Sequence, residues 1–381
     1  MKNKLLILSR NVPPRFSGTS VVVENLLKGF KDENIVVVGE KFISGNSNHP
    51  KIKYNNLRYI TILFNTNTFL TKLLRKLQIL SGFVLLFFIV LKHRPNKVLV
   101  IYPSAEYLFL GLLLSKIYKV DYYSYFHNTY KENRVGTAKF FASWLQERVF
   151  KYSEIVFFIS DGLKNYYNDN YLKHTSKFET LTHSFVEGIS SEIDVNIYGK
   201  TKVAFSGSIN ASCKDAFHRL LKALSTFNNV EFNFFGNHEE AFFLSLGLKK
   251  DSFFIYSTLD RSQFITELKK CDVMLLPHGF GGDLSEIEYK TIFPTKTIEY
   301  LFSGKPIFYH GPPDSYLTNF LSDNKCAIIV DVKSEKEIKS SFKKLIENQD
   351  LRKTFVKNAL LTSNSYHISK IIKNLRNKIY K

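Results

Sequence analysis

The chain of 381 residues contains only three cysteines, Cys213, Cys271 and Cys326. They are far apart and odd in number, with no Cys-x-x-Cys and no Cys/His spacing. That pattern excludes a zinc module and a disulfide framework. Reduced thiols in a cytosolic protein are the expectation. A secretory signal is not expected either: the run Leu5-Leu6-Ile7-Leu8 is too short for a signal core and is followed by Ser9, Arg10 and then two prolines. The apolar stretch Leu77 to Leu91 falls short of the ~20 residues that span a bilayer. No repeat of short period, no low-complexity tract and no Asp-x-Asp pair is present. Nor is there any motif of RNA or DNA recognition, so nucleic acid is not expected as a partner.

Acidic residues are outnumbered. There are 53 Lys and Arg against 34 Asp and Glu, a formal charge of +19. Such a field favours an anionic partner: nucleic acid, an acidic membrane or a phosphorylated substrate. A lysine-rich composition bias is the plain alternative. Hydrophobic residues make up 44% and aromatics 15% of the chain, which is ample for packed cores and unlike a basic tail. Leu77 to Leu91 is flanked by Lys72, Arg75 and Lys76 before it and Lys92, His93 and Arg94 after it. A buried helix packed on a sheet is the expectation there, and an interfacial membrane helix is the rival.

Apolar runs of strand length recur along the first half: Lys4–Ser9, Ile35–Val38, Tyr59–Phe64, Lys97–Tyr102, Asp121–Phe126, Ile155–Ser160 and Phe178–Thr182. Several are continuous rather than alternating, as in parallel strands buried on both faces. Helical periodicity lies between them at Val21–Phe30, Thr68–Leu91, Tyr107–Lys116 and Thr137–Tyr152. The polar stretch Glu187 to Lys200 then reads as a linker. The alternation restarts with Lys202–Phe205, a helix over Ala216–Phe227, and strands at Val230–Phe235, Phe253–Ser257, Val273–Pro277, Pro306–His310 and Cys326–Val330. Helices are expected at Ser262–Lys270, Glu335–Glu347 and Leu351–Leu361. The fold class is therefore α/β, with doubly wound domains over residues 1–186 and 200–365. The basic stretch 366–381 is free to cross back onto the first. A ligand is expected in a cleft between domains, at the carboxyl ends of the strands.

The stretch Phe293 to Ile307 carries the most chemistry. Thr295 as cap, or Pro294 at the first position, would start a short helix. Gly304 would end it and Pro306 would block continuation. Its amino end would offer unpaired N–H groups and a positive dipole to a phosphate. Lys296 in the first turn opposes that dipole unless an anion comes to it. Glu299 lies three positions on and faces the same side. It could accept hydrogen bonds from a ribose diol while Lys296 meets phosphate or sugar oxygens. The alternative is an ordinary amphipathic helix with a Lys296–Glu299 ion pair.

Pro294, Lys296, Glu299-Tyr300-Leu301 and Gly304-Lys305-Pro306 resemble the PxKxxEYLxxGKP signature of GT-B glycosyltransferases, especially the retaining family 4 enzymes. The loop Val12 to Thr19 resembles their first-domain loop with two prolines and a Gly-Gly. Gly18 stands there, with Thr19 in place of the second glycine. The resemblance implies two Rossmann-like domains facing each other across a cleft. It implies donor contacts from Gly18, Gly207, Gly236, Pro294, Thr295, Lys296 and Glu299. His127, after the strand ending at Phe126, would hydrogen-bond a sugar hydroxyl, and Lys214 would meet the diphosphate. His127, Lys214 and Glu299 are thus the candidate catalytic residues. Ser160 matches a position that starts the next helix and also reads as a plain N-cap.

Two departures from the pattern stand out. Ser208 occupies the usual arginine position, with Arg219 a possible substitute, and Thr291 replaces the first of two glutamates. Asp283, Glu286 or Glu288 could supply a carboxylate from the glycine-rich loop that begins at His278. No metal and no cofactor is implied beyond the nucleoside-diphosphate sugar. The function implied is transfer from that donor to a glycan or lipid-linked saccharide, with retention, in bacterial surface polysaccharide assembly. The location implied is cytoplasmic and peripheral on the inner membrane face, with anionic lipid contacts that also draw on Lys131 and Arg134. A GT-B nucleotide-sugar epimerase and a non-catalytic sugar-nucleotide binder remain the alternatives.

Overall fold

The computed structural model describes residues 4–13, 15, 17–30, 35–42, 57–62, 69–186, 193, 195–257 and 259–380. Contacts divide the chain into two compact units, Met1–Ser184 with Ile368–Lys381, and Phe185–His367. Much of the expected linker, residues 187–192 and 194, lies outside the described residues.

The first unit runs β1 (Leu5–Ser9), α1 (Gly18–Gly29), β2 (Ile35–Phe42), β3 (Leu57–Ile62), α2 (Phe69–His93), β4 (Lys97–Tyr102), α3 (Ala105–Tyr118), β5 (Asp121–Phe126), α4 (Gly136–Tyr152), β6 (Ile155–Phe158), α5 (Asp161–Asn170) and β7 (Phe178–Thr180). The strands form one sheet in the order β3-β2-β1-β4-β5-β6-β7, every pair parallel. Leu5 to Leu8 of β1 are fully buried, because a strand with neighbours on both edges and helices on both faces meets no water. Ser160 caps α5, its hydroxyl accepting from Leu163 N at 3.2 Å.

The second unit runs β8 (Thr201–Ser206), α6 (Lys214–Leu224), β9 (Val230–Phe235), α7 (Glu240–Ser245), β10 (Phe253–Tyr256), α8 (Arg261–Lys269), β11 (Val273–Pro277), α9 (Glu286–Thr291), α10 (Thr295–Phe302), β12 (Ile307–His310), α11 (Tyr316–Asp323), β13 (Ala327–Val330), α12 (Glu335–Glu347) and α13 (Gln349–Ser363). Its parallel sheet is ordered β10-β9-β8-β11-β12-β13. Two cores cover its faces. Val203, Phe205 and Leu275 point into one; Ala204, Met274 and Leu276 point into the other, with Ile298 and Leu301 of α10. The last helix, α14 (Ile368–Ile379), belongs to the first unit. Its Ile371, Ile372, Leu375 and Ile379 join that unit's core.

Both sheets are α/β and doubly wound, as the strand–helix alternation implies. In each, the strand order reverses once, between β1 and β4 and between β8 and β11. The loops leaving such a switch point diverge to opposite faces and open a crevice at the carboxyl ends of the strands.

α2 departs from expectation. Leu86, Ile89 and Val90 are buried, but Leu73, Leu77, Val84, Phe87, Phe88 and Leu91 are exposed. It is apolar on both faces rather than simply buried, because the sheet can cover only one side of a single helix layer.

Candidate functional site

The second unit brings its candidate residues together at the carboxyl end of β8. Gly207 follows that strand with φ +86°, a left-handed conformation that only glycine adopts at little cost. Its N–H donates to Phe235 O at 2.8 Å. Gly236 follows β9 with φ +148°, and a Cβ there would meet His238 Nε2 at 3.1 Å and Gly207 O at 3.2 Å. The two turns are tied directly: His238 Nε2 lies 3.0 Å from the Gly207 carbonyl oxygen. A carbonyl only accepts, so Nε2 carries the proton in this bond.

α10 is fixed against the same place. The Tyr300 hydroxyl, on a fully buried side chain, accepts from Ser206 N at 2.8 Å. One turn earlier, Lys296 reaches back so that its Nζ sits 3.7 Å from the centre of the Phe205 ring. The same ammonium lies 3.7 Å from where a Gly207 Cβ would be. Burial pushes the Lys296 pKa down to about 8, against the opposing effects of Cys213 and Glu299. Pro294 takes the cap position in extended backbone, ψ 142°, and makes no side-chain cap bond. Thr295 is the first helical residue, so neither start considered from sequence is the one adopted. The amino end of α10 therefore has no side chain closing it, and a lysine held in its first turn by an aromatic face.

Glu299 does not pair with Lys296. Its Oε1 meets Arg261 Nη1 at 2.5 Å, with the Glu299 side chain only 12% exposed. Arg261 opens α8, behind a capping box formed by Asp260 and Gln263. The i,i+3 ion pair is replaced because Lys296 turns toward Phe205, leaving Glu299 to a cation from the neighbouring helix. Neither Arg261 nor His238 was selected from sequence. The D-x-x-Q pattern marks a helix start there, but nothing local says where the arginine points.

Lys214 is the first residue of α6, with an exposed side chain whose charge helps to lower the pKa of His218, after the larger effect of burial. Arg219 is committed to the fold. It meets Asp215 at 2.8 Å and His310 at 3.1 Å, with its guanidinium over the Phe280 ring at 4.7 Å. In the loop after β11, Asp283 is exposed, Glu286 pairs with Lys290 at 2.6 Å and Glu288 is buried. The Thr291 hydroxyl bonds back to Ile287 O at 2.7 Å. Asp283 is the carboxylate of the three that faces water without an ion pair among the described residues.

The first unit builds a smaller constellation. Ser17 caps α1, accepting from Ser20 N at 3.1 Å, and Gly18 is the helix's first residue. Thr19 Oγ1 lies 3.4 Å from His127 Nδ1, so the first turn of α1 meets the residue after β5. His127 is buried, and its Nε2 has no hydrogen-bond partner among the described residues. Burial and, second, the nearby His183 hold its pKa well below the usual value. The neutral imidazole is thereby favoured.

Two parallel sheets, each with one reversal of strand order, define a doubly wound class of α/β protein. Residues 195–362 match the family described as glycosyl transferases group 1. The second unit resembles that family, and the fold of the chain resembles that of GT-B glycosyltransferases throughout its length. Sucrose-phosphate synthase from Thermosynechococcus elongatus superposes with a TM-score of 0.76 at 10% identity, over 99% of this chain and 98% of that one. Anabaena Alr3699/HepE in complex with UDP-glucose gives 0.70 at 12% identity, over 99% of both chains. The lipopolysaccharide outer core galactosyltransferase WaaB gives 0.64 at 13%, also over 99% of both. At such identities the likeness establishes the fold. No curated protein matches the sequence.

Proposed function

We propose that the protein transfers a glycosyl group from a nucleoside-diphosphate sugar to a hydroxyl of a glycan or lipid-linked saccharide. The observation that carries this is the placement of Lys296: a lysine of lowered pKa beside Gly207, at the uncapped start of α10. A lysine in the first turn of a helix is mildly unfavourable alone and becomes favourable when a dianion arrives. There it stabilises charge that builds on the departing diphosphate. Glu299, oriented by Arg261, accepts from the ribose hydroxyls. His127 hydrogen-bonds a hydroxyl of the transferred sugar, and Lys214 adds charge at the start of α6. Gly18, Gly207, Gly236, Pro294 and Thr295 offer backbone to the donor.

No residue stands out as a general base, which accords with retention, where the leaving phosphate itself assists deprotonation. A solved relative holds UDP-glucose, which supports the donor class. Another is a lipopolysaccharide galactosyltransferase, which supports a role in bacterial surface polysaccharide assembly. The reading includes a cytoplasmic location, peripheral on the membrane, with Lys92, His93, Arg94, Lys131 and Arg134 toward anionic headgroups. The side chains of Lys72, Arg75 and Lys76 lie outside the described residues.

Incubation of the purified protein with individual nucleotide sugars tests the proposal. Release of nucleoside diphosphate together with a glycosylated acceptor supports it. Conversion of the donor to an isomer without acceptor would instead show an epimerase, and binding without turnover a non-catalytic protein.

A further inference from the structure

Large exposed apolar side chains are concentrated on one helical layer of the first unit. On α2, Phe88 is 61% exposed, and it shares its face with Leu77, Val84 and Leu91. On α4, Phe140 is 80% exposed, next to the half-exposed Phe141 and Trp144. α2 packs beside α3 and α3 beside α4, so the two patches belong to one layer. Ring contacts run across it: Phe87 meets Tyr118 of α3 at 5.8 Å, and Lys116 of α3 lies 4.0 Å over the Tyr152 ring of α4. Surfaces of this kind are rare on a protein that meets only water, where contiguous apolar patches stay small.

The exposed charges on the same layer are predominantly positive. Lys116, Lys119, Lys139, Arg148 and Lys151 are exposed, and Arg148 lies 4.2 Å over the Trp144 ring. Two acids accompany them, Glu106 of α3 and Glu147 of α4, the latter 2.9 Å from His174 Nε2. We infer that the α2–α3–α4 face embeds in the surface of an anionic lipid bilayer, with Phe88, Phe140, Phe141 and Trp144 among the acyl chains and the lysines among the headgroups. Aromatic rings backed by long cationic side chains suit that boundary, since the rings enter the apolar layer while the charged tips stay wet. A second copy of the chain fits poorly, because pairing this face with itself sets cation against cation. Among the described residues no helix is long and apolar enough to cross a membrane, so the face lies in the interface rather than through it.

The inference deepens the membrane contact proposed above, from attraction by basic residues to insertion of apolar ones. Trp144 is the only tryptophan of the chain and reports directly on the face. With the full-length protein and vesicles of phosphatidylcholine and phosphatidylglycerol, its emission should shift to the blue and be quenched by lipids brominated on the acyl chains. The pair of substitutions F140S and F141S, at exposed positions, should lower vesicle partition at least about tenfold, the effect of withdrawing a buried phenylalanine. Nucleotide-sugar turnover in solution should be retained. Co-sedimentation with unchanged Trp144 emission would overturn insertion while leaving the electrostatic contact standing. Loss of turnover in the double variant would contradict a surface role for the pair. A blue shift that needs only higher protein concentration, without vesicles, would reveal self-association and overturn the lipid assignment.

Discussion

Arg261 holds Glu299: the guanidinium at the start of α8 meets the carboxylate of α10 at 2.5 Å. Both side chains are mostly shielded from water, so the contact fixes where the carboxylate points. If Glu299 binds the ribose, Arg261 is its positioning residue. Arg261→Met should raise the donor KM by about tenfold, the scale of a charge-assisted hydrogen bond, and leave kcat nearly unchanged. It should also reduce preference for ribose over 2′-deoxyribose donors. Steady-state kinetics with both donor types checks this. An unaltered sugar preference would show that the pair only supports the fold.

Lys296 sets a pH dependence. Its pKa of about 8 lies below that of an ordinary lysine because of burial. A diphosphate favours the protonated form, so donor affinity should fall as pH rises through about 8. The free protein should behave in the opposite sense. The unfolded chain, with lysine near 10.4, holds the proton more tightly than the folded one. Stability without ligand therefore gains from this group between about pH 8 and the unfolded value. Thermal melts across that range, with and without nucleoside diphosphate, should converge as pH increases.

Tyr300→Phe removes the acceptor of the Ser206 N–H and leaves a buried donor unpaired. The expected loss is about 1–3 kcal/mol, read as a lower denaturant midpoint for the second unit. An unchanged midpoint would mean that the bond does not anchor α10 to β8.

Gly236→Ala places a methyl within 3.2 Å of the Gly207 carbonyl and 3.1 Å of the His238 ring, in backbone that L residues rarely adopt. The turns after β8 and β9 should separate. Nucleotide affinity should fall more than stability does, as titration calorimetry beside thermal melts would record. Wild-type affinity would show that the His238 clasp plays no part in binding.

Much of the fold was legible because parallel strands announce themselves. Lys97–Tyr102, Asp121–Phe126, Val230–Phe235 and Val273–Pro277 begin and end where their apolar runs do. The strand expected at Tyr59–Phe64 is instead β3, Leu57–Ile62, and residues 63 and 64 lie outside the described residues. The short helices α7, α9 and α11 were not read, since six to eight residues show too little periodicity to stand apart from a loop. At the site, glycines and the α10 helix were readable from local chemistry. The partners were not. Arg261 and Glu299 are brought together by β10 and β11 lying on either side of β8 and β9, and His238 meets Gly207 across neighbouring strands. Contacts of that range depend on strand order, which no local pattern carries.

The most direct measurement is nucleoside diphosphate binding to the wild-type protein and to Lys296→Met. Calorimetric titration with UDP, GDP and ADP should show one nucleotide binding the wild type and at least about tenfold weaker binding to the variant, with the folded content of the two unchanged. Equal affinity in the two proteins would contradict the assignment of the β8–α10 junction as the diphosphate site.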